Sequence, residues 1–271
     1  MNTNHIASHP IGIFDSGIGG LTIAHAIVKH LPKENIIYFG DTLHLPYGEK
    51  STSAIQAYAV KIAAMLLEQK CKLILIACHS ASAAAYELVK EYVGEKATVM
   101  NVIDPVILLL KDRFPEKRIG LIGTRQTVNS NIYRKKIDSL NLNIDLAATP
   151  TNLLASAIEE FGNHRVIDAL LETYLAHPDL QEIDALLLAC THYPIIKDRI
   201  LKHYKTPVEL IDSSDIVAKA VKHYLEKNVL LNANGSSTKH FYVSDYTDSF
   251  AANAKLFFGE DIKLEHYPLW D

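Results

Sequence analysis

The chain has 271 residues, of which 48% are hydrophobic and 21% charged, and its formal net charge is −4. This length favours about two domains with room for a substantial core. A slightly negative charge argues against a surface that binds nucleic acid or an acidic membrane. The start, MNTNHIASHP, lacks the basic and apolar regions of a signal peptide. No run approaches the roughly 18 apolar residues of a membrane span. Three cysteines are too few for a disulfide framework and suit a reducing compartment, so we expect a cytoplasmic protein.

Short apolar segments of strand length recur along the chain. In chain order they are IGIF (11–14), NIIYFG (35–40), KLILIA (72–77), TVMNVI (98–103), RIGLIG (118–123), NIDLAA (143–148), ALLLA (185–189) and VELI (208–211), with a late strand in HFYVSD (240–245). Most are continuously apolar rather than alternating, which is typical of strands buried on both faces of a parallel sheet.

Helical segments separate these strands, and residues 51–69 give the clearest example. Apolar residues recur there at helical spacing, at Ile55, Ala59, Ile62 and Leu66. Ser53 followed by Gln56 fits a capping box at the start of this helix. The alternation of strands and helices predicts an α/β protein with mostly parallel sheets.

Small polar and nucleophilic residues follow directly after many of these strands. They are Asp15, Ser16, Asp41, Cys78, His79, Ser80, Asp104, Thr124, Cys190, Thr191, His192, Asp212, Ser213 and Ser214. In open parallel sheets the ligand crevice lies outside the carboxyl ends of the strands. Two strands that each end in a cysteine predict two similar doubly wound domains, with the active site in the crevice between them. We expect residues 1–103 plus 213–271 to form the first domain and 104–212 the second.

Two of the three cysteines lie at these strand ends, and their chemistry is the main functional signal. Three cysteines do not make a disulfide framework, and their spacing excludes C-x-x-C zinc patterns. Two thiols that face each other suit racemisation, in which one thiolate removes a proton and the other thiol delivers one. A Cys190–His192 pair in a hydrolase is the alternative, although it gives no role to Cys78. Cys71 is interpreted as a buried structural residue.

The segment DSGIGG (15–20) allows several interpretations. Its glycines after a strand could cradle a phosphate at a helix N-terminus, although it is neither G-x-G-x-x-G nor a P-loop. It could also be a tight strand-to-helix turn, with Asp15 either as a helix cap or as a catalytic residue. The PYG segment (46–48) could be only a turn.

At these residues the sequence resembles the aspartate/glutamate racemase family, and glutamate racemases in particular. The matching segments are FDSGIGGLT, YFGDTLHLPYGEKS, ACHSASA, GTRQTVNSNIY, ACTHYP and IDSSD, in order across nearly the whole chain. The paired AC segments together with DSG and PYG make the resemblance specific.

The resemblance implies a cofactor-independent enzyme that interconverts L- and D-glutamate between two α/β domains and supplies D-glutamate for peptidoglycan. It implies no metal, and the sequence shows no lysine site for pyridoxal phosphate. The catalytic residues would be Cys78, Cys190, Asp15, His192 and Glu159, with Glu160 as the alternative to Glu159. Substrate contacts would come from Asp15, Ser16, Pro46, Tyr47, Gly48, His79, Ser80, Thr124, Thr127, Thr191 and His192.

One position departs from the family, which usually has Asn-Thr after the first cysteine where this chain has His79-Ser80. We expect His79 to line the crevice as a neutral hydrogen-bond donor that can gain charge near neutral pH; the alternative is that it points away from the crevice and only packs. Two alternatives stay open. The protein could be a racemase for another acidic amino acid such as aspartate, or a catalytically silent protein that binds an amino acid. The expected partner is a small-molecule substrate, glutamate, and the oligomeric state is open, with a homodimer among the alternatives.

Overall fold

Two parallel β-sheets with flanking helices form the protein, here described from a computed structural model. The structure describes residues 6–160, 164–233 and 237–271. The strands are β1 Ile11–Asp15, β2 Ile36–Gly40, β3 Leu73–Ile76, β4 Thr98–Asn101, β5 Arg118–Gly123, β6 Asp145–Pro150, β7 Ala185–Ala189, β8 Glu209–Asp212, β9 Lys239–Val243 and β10 Leu264–His266. One sheet has the order β10-β9-β2-β1-β3-β4 and the other β6-β5-β7-β8.

Helices lie between most of these strands, as the alternating pattern predicts. They are α1 Leu21–His30, α2 Thr52–Glu68, α3 His79–Val93, α4 Ile103–Arg113, α5 Arg125–Asn129, α6 Ile132–Ser139, α7 Leu154–Glu159, α8 His164–Leu175, α9 Lys197–Leu201, α10 Ser213–Lys227 and α11 Asp248–Phe258. Within the described ranges every strand pair is parallel. The α/β class with two parallel sheets is therefore confirmed.

The strand register places the functional positions at one edge of each sheet. Asp15 at the end of β1 lies opposite Gly40 at the end of β2, and Gly123 of β5 lies opposite Ala189 of β7. Every residue of β1 and β7 is buried, as expected for strands covered on both faces. The residues that follow these strands consequently gather at the carboxyl edges of the two sheets.

The first sheet takes its strands from residues 11–101 and 239–266, and the second from residues 118–212. The domain boundaries at 103/104 and 212/213 stay a prediction. In the part of the chain that the structure describes, no helix combines the length and apolarity needed to cross a membrane.

Two local features differ from the sequence prediction. Ser51, not Ser53, caps α2, because its hydroxyl accepts a hydrogen bond from the amide of Ala54 at 3.3 Å. Gln56 donates instead to the carbonyl of Ala84 at 2.9 Å, so the predicted capping box is wrong. The strand β10 was not predicted, because three residues, LEH, are too few to show a pattern.

Candidate active site

A cavity with an empty volume of about 440 Å³, counting space open to solvent, lies where the carboxyl ends of both sheets meet. It is lined by Ser16, Leu45, Pro46, Tyr47, Gly48, Cys78, His79, Ser80, Thr124, Ala155, Ser156, Glu159, Ala189, Cys190, Thr191 and His192. Both strand-end cysteines therefore belong to one cavity.

The cavity brings together nearly all the residues that the sequence predicted for the site. Asp15 and Thr127 do not line it, and both are buried behind its wall. Leu45, Ala155, Ser156 and Ala189 line the cavity but were not predicted. Ser156 lies one turn before Glu159 on α7, so helical spacing was a usable signal for it. Alanine and leucine carry no comparable chemical signal.

Cys78 forms the N-terminal cap of α3 and is one of the two buried thiols in the cavity. Its sulfur accepts a hydrogen bond from the amide of Ala81 at 3.5 Å, and its thiol donates to Ser16 Oγ at 3.6 Å. Burial and then the nearby carboxylate of Asp15 raise the pKa of Cys78 to about 12. Without a ligand, Cys78 is therefore a protonated thiol that can donate its proton.

Asp15 is fully buried and faces the glycine-rich loop rather than the cavity. Its Oδ2 accepts hydrogen bonds from the amides of Gly17 at 3.1 Å and Gly20 at 3.0 Å. These two amides therefore already donate to Asp15 and are not free to bind a phosphate, so the phosphate-cradle interpretation is wrong for them. Asp15 does not cap α1 either, because Gly20 is the capping residue. Burial raises the pKa of Asp15, against an opposing effect of His192.

Cys190 lies beside a buried histidine–carboxylate pair. Its sulfur is 3.6 Å from His192 Nδ1, and His192 Nε2 is 2.7 Å from Glu159 Oε1. Burial by itself would lower the pKa of His192, but Glu159 and Cys190 outweigh it and raise that pKa well above its usual value. Glu160 is exposed, so the geometry selects Glu159 as the carboxylate that pairs with His192.

Gly19 explains why the DSGIGG segment needs glycine. A Cβ atom at this position would lie 2.4 Å from Cε1 of His192 and 2.5 Å from Oγ1 of Thr191. Both distances are shorter than any tolerable carbon contact, so only glycine allows the histidine to pack against this loop. The loop thus packs directly against the imidazole ring of His192.

His79 lines the cavity, but its ring nitrogens bind other parts of the protein. Nδ1 is 2.9 Å from the hydroxyl of Tyr133 on α6, and Nε2 is 3.2 Å from Oγ of Ser213 on α10. Burial lowers the pKa of His79 to about 3. The expectation that His79 is neutral agrees with this result, whereas its expected charge gain near neutral pH is wrong because the buried ring cannot be solvated as a cation.

A cluster of hydroxyl groups connects the two sheets across the cavity. Ser80 Oγ lies 2.7 Å from Thr124 Oγ1, and Thr124 Oγ1 lies 3.1 Å from Thr127 Oγ1. Thr127 therefore acts behind the wall that Ser80 and Thr124 form. Within the described ranges, no three His, Cys, Asp or Glu residues are grouped as ligands for a metal ion.

Comparison with known proteins gives a consistent result. A model of the Asp/Glu/Hydantoin racemase family matches residues 19–221. The glutamate racemase of Chlorobaculum parvum is 38% identical over 255 residues, 93% of each chain. One of Neisseria meningitidis serogroup C is 36% identical over 256 residues, 94% of each chain.

Solved structures agree with the sequence relatives. The crystal structure of glutamate racemase from Francisella tularensis in complex with D-glutamate superposes with a TM-score of 0.90 at 39% identity, covering 97% of this chain and 99% of that one. Glutamate racemase from Thermus thermophilus in complex with beta-chloro-D-alanine gives a TM-score of 0.84 at 33% identity, covering 96% and 97%. The chain therefore belongs to the Asp/Glu/Hydantoin racemase family and is an amino-acid racemase.

Proposed function

We propose that the protein is a glutamate racemase that interconverts L- and D-glutamate by proton transfer between Cys78 and Cys190. The observation that carries the proposal is that these two thiols, from different sheets, line one cavity. The relatives named above are glutamate racemases, and the one from Francisella tularensis was crystallised with D-glutamate. The α-carbon of the substrate would lie between the two sulfur atoms.

The two cysteines have different surroundings, which suits opposite roles in one turnover. The raised pKa of Cys78 keeps its proton on sulfur, ready for delivery. The imidazolium of His192, held by Glu159, places a positive charge beside a Cys190 thiolate when that thiolate forms. In the direction from L- to D-glutamate, Cys190 removes the α-proton and Cys78 delivers its own proton to the opposite face. The reverse direction uses the same two groups with their protonation exchanged.

The cavity wall supplies donors for an anionic amino acid. Helix α3 begins at His79, directly after Cys78, so its N-terminal amides and positive dipole end adjoin the cavity. The hydroxyls of Ser80 and Thr124 add donors that can rotate toward a carboxylate. Donors at the α-carboxylate also stabilise the carbanion that develops when the α-proton leaves. No lysine or arginine is among the cavity-lining residues that the structure describes.

The proposed reaction uses only side chains of this protein, with neither a metal nor a pyridoxal cofactor. The resemblance to glutamate racemases further supports a cytoplasmic role in supplying D-glutamate for peptidoglycan in the cell wall. That role would be tested by asking whether the gene restores growth to bacteria that need added D-glutamate.

The reaction is tested by following the loss of optical activity of L- and D-glutamate with purified protein. In deuterated water the α-hydrogen of glutamate should exchange, which separates a racemase from a protein that only binds its ligand. A panel that includes aspartate separates glutamate from other acidic substrates. Failure to racemise glutamate would refute the proposal, even if another member of the panel reacted.

The three cysteines provide matched variants for the mechanism. Cys78→Ser and Cys190→Ser should each lower racemisation at least several hundredfold, on the order of the contribution of a general acid or base. The racemisation rate of Cys71→Ser should stay within a few-fold of the wild-type rate, because Cys71 lies outside the cavity. If Cys71→Ser folded normally but lost as much racemisation activity as the other two variants, the two-thiol assignment would be contradicted.

A further inference from the structure

Asp41 is a fully buried carboxylate behind the cavity that has no role in the proposed proton transfer. It accepts hydrogen bonds from the hydroxyl of Tyr47 at 2.6 Å, from Ser244 Oγ at 2.8 Å and from His44 Nδ1 at 3.0 Å. A further hydrogen bond comes from Nε1 of Trp270 at 2.8 Å. Buried carboxylates require such donors, so these groups together hold Asp41 in place.

The hydrogen bond from Tyr47 connects Asp41 to the substrate cavity. Tyr47 is 1% exposed and lines the cavity together with Pro46 and Gly48. Gly48 packs so closely on Thr124 that a Cβ atom there would lie 2.7 Å from the Cβ of Thr124. A displaced Asp41 would therefore release the hydroxyl of Tyr47 and loosen a wall that adjoins the hydroxyl cluster.

The hydrogen bond from Trp270 connects Asp41 to the C-terminal segment that follows β10. The indole ring meets the ring of His44 edge-on at 4.6 Å between centroids. Nζ of Lys61 lies 4.6 Å from the centroid of the indole ring, a cation–π contact. The amide of Tyr267 donates to the carbonyl of Val243 at 2.9 Å, which anchors this segment to the first sheet. The indole N–H is therefore held in position for Asp41.

We propose that Trp270 is a positioning residue for substrate binding, acting through Asp41 on the hydroxyl of Tyr47. The inference rests on the proposed function, because it assigns the Tyr47 wall to binding of the same substrate. The four donors also compensate the negative charge of Asp41. Loss of one donor leaves that charge less compensated near a cavity that receives an anion.

The kinetic test compares wild type with Trp270→Phe, which keeps an aromatic ring but lacks the N–H donor. KM for both enantiomers should rise about fivefold while kcat stays within about twofold, the pattern of lost binding that is equal in ground and transition states. Deletion of Asp271 alone is the matched control, since it leaves Trp270 in the chain, and it should keep the wild-type KM. A Trp270→Phe variant with wild-type KM would overturn the inference.

A second measurement, tryptophan fluorescence, can be made on the wild-type protein, because Trp270 is the single tryptophan of the chain. Titration of the wild-type protein with D- or L-glutamate should change the tryptophan fluorescence, with a midpoint that follows KM. Tyr47→Phe should remove this change, because the connection from the cavity to Asp41 is lost. Unchanged fluorescence of the wild type at saturating substrate would overturn the inference.

These outcomes separate the inference from the proposed function. If the wild-type protein does not racemise glutamate, the proposed function fails. If the wild type is active but the Trp270→Phe variant and the fluorescence titration show no effect, only the positioning role of Trp270 fails.

Discussion

Replacing His79 with asparagine should make the stability of the protein less sensitive to acid. In the unfolded chain a histidine has a pKa of about 6.5, whereas burial lowers the pKa of folded His79 to about 3. Between these values the unfolded state binds a proton that the folded state does not. His79 therefore reduces stability progressively as the pH falls from about 6.5 toward 3, and its effect is constant below that.

The size of this effect follows from the two pKa values. Between pH 7 and 5 the uptake of a proton by unfolded His79 lowers the free energy of unfolding by about 2 kcal/mol. Asparagine does not titrate, so the decrease over this interval should be smaller by about 2 kcal/mol in His79→Asn. At pH 7 the variant itself should be about 1–3 kcal/mol less stable, because asparagine cannot serve both Tyr133 and Ser213 and leaves a buried hydroxyl unpaired.

Urea unfolding at pH 7 and pH 5, followed by far-ultraviolet circular dichroism, measures both quantities. The control is Tyr133→Phe, which removes one hydrogen bond of His79 but keeps the imidazole, and it should retain the wild-type pH dependence. Equal pH dependence in wild type and His79→Asn would refute the reasoning, because it would mean that His79 takes up a proton in the folded protein. From pH 6 to 9 the shape of the pH–rate profile should be the same in wild type and His79→Asn.

Other predictions follow from the surroundings of His192 and from the absence of a cofactor in the proposed reaction. Glu159→Gln should lower racemisation on the order of tenfold to a hundredfold by lowering the pKa of His192, whereas the exposed control Glu160→Gln should match wild type in the same rate assay. Gly19→Ala should abolish most activity with the fold retained by circular dichroism, because its Cβ would displace His192; wild-type rates would contradict this. Dialysis against a chelator should leave racemisation unchanged, and activity that returned only with a metal or pyridoxal phosphate would contradict the two-thiol mechanism.

The enantiomers of glutamate have equal free energies in water, which constrains the interpretation of all these rate measurements. At equilibrium their concentrations are equal, so kcat/KM must be the same in both directions for wild type and for every variant. A variant can change kcat and KM differently for the two enantiomers. Different roles of Cys78 and Cys190 should therefore appear in the separate values of kcat and KM for each enantiomer and in the rate of α-proton exchange. They should not appear in kcat/KM, which is the same in both directions.

Except for β10, the described strands were evident from the sequence, and so were the two thiols. Continuous apolar runs identify strands that are buried on both faces, and parallel pairing brings their carboxyl ends to a common edge. Cys78 and Cys190 each follow such a run, so their placement at the sheet edges needed only local patterns. Their sharing of a single cavity is a property of how the two sheets face each other.

The tertiary structure decided which partners the remaining polar groups have. Asp15 binds loop amides, Glu159 rather than Glu160 reaches His192, and His79 binds hydroxyls on α6 and α10. The contact of Trp270 with a carboxylate more than two hundred residues earlier has no sequence pattern at all. Hydrogen-bond partners and burial depend on the distances between groups in the folded chain, and burial sets the pKa. A local sequence pattern shows which residues come to the edge of a sheet, but only folding fixes which atoms they meet there.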